Sequence, residues 1–314
     1  MKLQTTLDIP PHKKPFAYTD ELLLLGSCFS EHIGEQLQYH KFKTTVNPFG
    51  ILFHPPAIVK VVKRALDQSS YTAADVFEHQ GVWKSFDAHS RLNALSEAAA
   101  VAKLNEAQNR LWSALDNANY LIITLGTAWS YRHLELDKTV ANCHKLPQQH
   151  FEKELLSVLA IEQSLEQLSQ QLLEHRPDLQ LIFTVSPVRH LKDGMVENNR
   201  SKAHLLAGVH QLVNHENIHY FPAYEIQMDQ LRDYRFYGSD MIHQSQLAVQ
   251  YIWERFLESH ACPKTKAIAK EVASIQKALA HKPFDSHSKA YQQHLTQLES
   301  RIAQLQQNHP HIQF

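Results

Sequence analysis

The stretch LLLLGSCFSEHIGEQL, residues 22–37, decides the fold. Its four leucines are too few for a helix and too uniformly apolar for a half-exposed strand. They suit a strand buried on both faces. From Phe29 the pattern changes, because Phe29, Ile33 and Leu37 recur every four residues, as on one face of a helix. A buried strand, a Gly26-Ser27 turn and a helix open an α/β unit. Ser27 then lies at a helix N-terminus. Its hydroxyl can simply cap the helix. Alternatively, the free N–H groups and the dipole there favour negative charge developing on it.

The same alternation continues outward. Lys43–Val46, Tyr120–Leu125, Leu181–Val185 and Ile218–Phe221 read as four further strands. Between them lie helical patterns. Pro55 and Pro56 open one through Ile58, Val61, Val62 and Leu66; Leu92–Leu115 is rich in alanine. Phe151–Glu174 carries Leu155, Leu159, Leu165, Leu168 and Leu172. Leu205, Val209 and Leu212 mark another helix, and Ala248, Ile252 and Phe256 one more. This order predicts a five-stranded, mainly parallel α/β sheet with right-handed crossovers. Residues 1–262 form that domain, with a helical insertion around 65–118. After Cys262-Pro263 the composition turns polar, and 263–314 predict a helical extension broken near Pro283. Its thin stripe (Ile268, Val272, Ile275, Leu279, Leu295, Leu298, Ile302, Leu305) suits a hairpin packed on the domain or an arm for a homodimer.

Composition excludes several classes. Of 314 residues, 43% are apolar and 20% charged, which is ordinary for a globular chain and wrong for a disordered one. Thirty-one basic and 32 acidic side chains leave a net charge of −1, so no global field draws in nucleic acid or an anionic membrane. No run reaches the ~18–20 apolar residues of a membrane span. Cys28, Cys143 and Cys262 are odd in number and scattered, which fits a reducing compartment. The opening MKLQTTLDIPPHKKPF has no apolar segment of a signal peptide, so a cytoplasmic location is expected. The 22 histidines raise the question of a metal. No CxxC occurs, the one His-x-His is His309-Pro310-His311, and the one HExxH match, His215–His219, runs from a helix end into a strand, so His210, His215 and His219 do not share a helical face. Surface histidines, with no metal and no cofactor, are the expectation.

Ligands of an open parallel sheet sit outside the carboxyl ends of the strands. The residues there are Gly26-Ser27-Cys28, Asn47-Pro48-Phe49-Gly50, Gly126-Thr127-Ala128-Trp129 and Ser186-Pro187-Val188-Arg189-His190. Beyond the fifth strand come Gly238-Ser239-Asp240-Met241-Ile242-His243. A spacing of three lets Asp240 accept from Nδ1–H of His243 and leave Nε2 free as a base. A surface turn that caps the next helix would show the same spacing. With Ser27 the pair forms a serine-hydrolase constellation in the order Ser, Asp, His. Cys28, one residue on, is expected to be buried and structural.

These residues resemble the GSCFA domain family, an offshoot of the SGNH/GDSL hydrolase clan. LLLLGSCFSEHIGEQL carries the resemblance together with NPFGILFHP, LIITLGTAWSY, ANCHKLP, TVSPVRHLKDGMVENNRSKAHLL and YFPAYEIQMDQLRDYRFYGSDMIHQS. It implies a three-layer, flavodoxin-like sandwich. It also implies Ser27 as nucleophile, His243 as base and Asp240 as its orienter. The backbone N–H groups of Ser27 and Gly50 would form the oxyanion hole. The clan's Gly-x-Asn block reads Gly126-Thr127-Ala128 here, so its asparagine donor is missing. Asn47 is the candidate substitute, or else only an Asn-Pro turn starter. Trp129 and Tyr131 can wall a pocket or fill the core. His89, Thr127, His144 and Arg189 are the further pocket candidates.

The leading expectation is an esterase acting on a small acyl ester, such as an O-acetylated carbohydrate. An O-acyltransferase would use the same residues. A non-catalytic protein that binds a ligand in a degenerate hydrolase pocket is the rival from another class.

Overall fold

The computed structural model describes residues 5–213 and 215–314. In chain order its elements are β1 (Glu21–Gly26), α1 (Cys28–Tyr39), β2 (Lys43–Val46), α2 (Pro55–Leu66), β3 (Phe77–His79), β4 (Val82–Lys84), α3 (Glu97–Asn117), β5 (Tyr120–Leu125), β6 (Trp129–His133), β7 (Lys138–Val140) and β8 (Phe151–Leu155). There follow α4 (Val158–His175), β9 (Gln180–Val185), α5 (Met195–His210), β10 (Ile218–Tyr220), a single turn α6 (Ala223–Glu225), α7 (Gln246–His260), α8 (Pro263–Leu279) and α9 (Lys289–Asn308).

Five strands form one sheet in the order β10-β9-β5-β1-β2, every pair parallel. Counting only these strands along the chain, the order is 2-1-3-4-5, the flavodoxin-like doubly wound order. Alternate side chains of β1 serve opposite layers. Leu23 and Leu25 join a core with α2, α3, α4 and α5, while Leu22 and Leu24 join a second core with α1 and α7. All six residues of β5 and of β9 are buried, as continuous apolar strands require.

The helical extension spends its stripe on the second core. Ala269, Val272, Ile275, Leu298 and Leu305 pack in one cluster with Phe16, Phe42, Trp253 and Phe256. Leu279 stays exposed. The hairpin form of the expectation is therefore what the structure displays. Among the described residues, no helix is long and apolar enough to cross a membrane.

Two stretches differ from the sequence expectation. The insertion around 65–118 is not all helix, because β3 and β4 form an antiparallel hairpin ahead of α3. Between β5 and α4 lies a three-stranded antiparallel sheet in the order β7-β6-β8. Residues 151–155, expected as the start of a helix, form β8 instead, and α4 begins at Val158, capped by Ser157. Pairing with β6 along five residues outweighs the helical spacing of Leu155 and Leu159.

The histidines also differ from expectation. His12, His40, His54, His133, His144 and His260 are buried. The His12 ring lies 3.9 Å from that of His219 and 5.1 Å from that of His260. Burial pushes His54 down to about 4, His219 to about 4 and His260 to about 3. These folded-state values lie below the unfolded one of ~6.5, so the unfolded chain takes up protons that the fold refuses. Their contribution is fully present above about pH 6.5 and is lost as pH falls from there towards 4. The two deeply buried rings, His54 and His260, together make the loss on the order of 3–4 kcal/mol by pH 5. Urea unfolding at pH 7.5, 6 and 5 checks this; equal stability at all three would contradict it.

Candidate active site

The point where strand order reverses, between β1 and β5, is where a doubly wound sheet opens a crevice. Here that point is made by the Gly26–Cys28 turn and the Gly126–Ala128 loop. Gly26 has φ +128°, and a Cβ there would stand 2.1 Å from Thr124 O. Only glycine lets the chain leave β1 so close to β5. Gly50, with φ +79°, similarly lets His89 pack against the Asn47–Gly50 turn, where a Cβ would lie 2.3 Å from the His89 Cβ.

Ser27 is fully buried, at 0% exposure. Its Oγ accepts from Phe29 N–H at 3.3 Å, so it caps α1. Its own N–H donates to Thr124 O at 3.0 Å. The Gly50 N–H likewise donates to Asn47 O, at 2.8 Å. The two backbone donors assigned to an oxyanion hole are thus engaged, Ser27 N–H with β5 and Gly50 N–H within its own turn. Asn47 is different. It is 1% exposed, and its Oδ1 accepts from Gly26 N–H at 2.8 Å. This fixes the amide orientation and leaves Nδ2 a buried donor with no partner among the described residues. Such orphans cost about 1–3 kcal/mol and collect at functional sites.

Cys28 departs from the expectation of a buried structural thiol. It is half-buried at the first position of α1, beside the fully buried cap residue Ser27. Burial raises its pKa, while the charge of Lys202 and neighbouring backbone N–H groups lower it.

Asp240 and His243 stand in one tight loop. Asp240 Oδ2 accepts from the His243 ring at Nδ1, 2.7 Å away. Its Oδ1 accepts from the N–H groups of Ile242 (2.9 Å) and His243 (3.0 Å). These bonds hold the Asp240 carboxyl well below the usual carboxylate range. With Nδ1 turned to Asp240, Nε2 of His243 carries no hydrogen bond to a described residue. The His243 side chain is 46% exposed. Its electrostatic neighbours are His32 on α1 and His190 beyond β9, which places it over the same sheet edge.

Next to this edge opens a cleft of about 410 Å³. His89, Thr127, Trp129 and His144 all line it, as do Tyr131 and His190. The second of the stretches misread in sequence, between β5 and α4, lines it through Val140–Lys145 and Phe151. Phe53 joins cleft to turn, since a Cβ on Gly126 would lie 3.1 Å from its ring and 3.2 Å from the Ser27 Cβ. Arg189 does not line the cleft. Its guanidinium donates to Asn199 Oδ1 at 3.2 Å and to Met228 Sδ at 3.0 Å, and His190 takes its place at the cleft. His144 Nε2 donates to Ser85 O at 2.6 Å, which leaves Nδ1 an unpartnered acceptor. Burial pushes His190 down to about 4 and lowers His144 and His89, so the cleft histidines are neutral near pH 7.

Lys202 was missed. The helix that Leu205, Val209 and Leu212 mark in sequence starts at Met195 in the structure, and Lys202 lies inside it. Lys202 is 1% exposed and donates from Nζ to Gly126 O at 2.7 Å and Ser186 O at 2.6 Å. The signal for it was indirect: a lysine in register with buried Ser201, Leu205 and Val209. Among the described residues, no three His, Cys, Asp or Glu side chains converge as a metal site.

Among solved structures, the chain is similar to a family 3 carbohydrate esterase of Clostridium thermocellum. The TM-score is 0.36 at 11% identity, over 81% of this chain and 98% of that one. It is also similar to an acetyl xylan esterase (Est2A) from the rumen bacterium Butyrivibrio proteoclasticus. There the TM-score is 0.34 at 13% identity, over 77% of this chain and 64% of that one, which is under two thirds of its length. Likeness at this level carries no argument about chemistry. No curated protein matches the sequence. The profile of the GSCFA family matches residues 21–256, and that of the C-terminal domain of GSCFA domain proteins matches residues 272–314. With most of its length covered by these two profiles, the chain belongs to the GSCFA family.

Proposed function

We propose that the protein is an ester hydrolase whose reacting centre is the Gly26–Cys28 turn. The oriented Asp240–His243 pair carries this reading, because it stands over the same edge with Nε2 uncommitted. Ser27 Oγ attacks the ester carbonyl while His243 Nε2 takes its proton. The alcohol leaves with that proton, and water then releases the acid from the acyl-enzyme. Asn47 Nδ2, the orphan donor beside Gly26, is the proposed oxyanion partner. Since Ser27 is enclosed, the turn must open for substrate. The finer form of the reading is a small acyl group, such as acetyl, on a carbohydrate hydroxyl. Trp129 and Tyr131 as walls and His144 Nδ1 as a hydroxyl acceptor support it. A sugar hydroxyl in place of water would make the same residues an acyltransferase.

A second reading keeps the pair and changes the nucleophile. Cys28 is half-buried where Ser27 is sealed, and this observation favours thiol attack. Intact-mass labelling separates the two. A fluorophosphonate adduct that disappears in Ser27→Ala is the expected result. Labelling only by a chloroacetamide, lost in Cys28→Ala, would transfer the role to the thiol. Folded protein that takes neither reagent at this turn would overturn both readings and leave a ligand-binding protein.

A further inference from the structure

The buried Lys202 has no part in the chemistry above. It reaches from α5 to the ends of β5 and β9, where its ammonium bonds the Gly126 and Ser186 carbonyls. Its neighbour Ser201 grips the same loop, accepting from Ala128 N–H at 2.7 Å and meeting Thr127 Oγ1 at 3.0 Å. Gly126 in turn lies against Ser27. The ammonium is therefore one loop residue away from the turn. No carboxylate pairs with it among the described residues. The titratable and charged groups facing it are Cys28 from α1, and Arg189 and His190 from the loop after β9.

A buried cation without an anion is costly, and burial pushes Lys202 down to about 7. Two carbonyls can be satisfied by a neutral amide or hydroxyl at lower cost. Their hydrogen bonds alone do not account for a charge at this place. An anion that forms there only during reaction does.

We propose that Lys202 is a positioning residue of this site, whose buried positive charge stabilises negative charge formed at the Gly26–Cys28 turn. The inference rests on that turn being the reacting centre. The charge acts across the Gly126 loop on an oxyanion or a thiolate.

Cys28 is a built-in reporter of this field. The test is the pH dependence of its alkylation by iodoacetamide, read by peptide mass spectrometry on the full chain. Wild type is compared with Lys202→Met and Lys202→Gln, the second keeping N–H donors without charge. Below pH 7, where the ammonium is charged, loss of Lys202 slows Cys28 alkylation about tenfold, and the difference shrinks as the pH rises past 7. Cys143 and Cys262 serve as internal controls. Hydrolysis of p-nitrophenyl acetate by the same samples falls about 10²-fold. A folded Lys202→Gln protein with the wild-type Cys28 profile, or with wild-type turnover, overturns the proposal. If wild type shows no turnover but the thiol shift is present, the hydrolase reading fails and the charge assignment stands.

Discussion

Replacing His243 by alanine lowers ester turnover on the order of 10³-fold and leaves the protein folded. The ring is half exposed, and its side-chain hydrogen bond goes to Asp240 in its own loop. Removal opens no core cavity, so stability changes by at most about 0.5 kcal/mol. Catalysis has no such reserve. Transfer of the nucleophile's proton to a positioned base contributes about 10²–10⁴ in rate. Asp240→Asn moves turnover in the same direction, because the carboxylate holds Nδ1 and thereby frees Nε2. The measurement is kcat/KM on p-nitrophenyl acetate beside a melting temperature. A folded His243→Ala protein with wild-type turnover would remove the pair from the mechanism and the proposed function with it.

Gly26→Ala costs about 4 kcal/mol of stability. The φ of +128° is strained for any residue with a Cβ, at about 1–3 kcal/mol. The added methyl meets Thr124 O at 2.1 Å, inside the ladder between β1 and β5, and overpacking there costs about 1–3 kcal/mol more. Relief requires β1 and β5 to move apart, with both cores attached to them. Guanidinium unfolding of the full chain measures the difference. A loss under about 1 kcal/mol would mean that the turn adapts, and that its geometry in the wild type is a preference of the chain and not a requirement.

The three central parallel strands, β1, β5 and β9, were legible because they are buried on both faces, while the edge strands β2 and β10 are short and only partly buried. Leu22–Leu25 and Tyr120–Leu125 had no other plausible fate. The strands β6 and β8 were not legible for the opposite reason. WSYRH and FEKEL are half exposed, and their pairing partners lie on each other, some twenty residues apart. His89, Thr127, Trp129 and His144 could be nominated because they follow strands or sit in loops with little structural reason for them. They share one cleft, while Arg189 turns away to Asn199. The enclosure of Ser27 could not be read, since it depends on a backbone angle at Gly26 and on contacts with Thr124 and Gly126 far along the chain. Lys202 was hidden for a related reason. A lysine in a helix pattern reads as solvated until the carbonyls of two strand ends are known to surround it.

The two cores close at different moments of synthesis. The layer with α2 to α5 is complete once the chain has been made as far as Ile218. The opposite layer draws Phe16 and Tyr18 together with Leu298, Leu305 and Ile312. A chain emerging from the ribosome therefore carries one finished side of its sheet and one incompletely roofed side for nearly a hundred further residues. During that interval the apolar side chains of β1 and β5 that face α1 are what a chaperone, or a neighbouring nascent chain, would meet first.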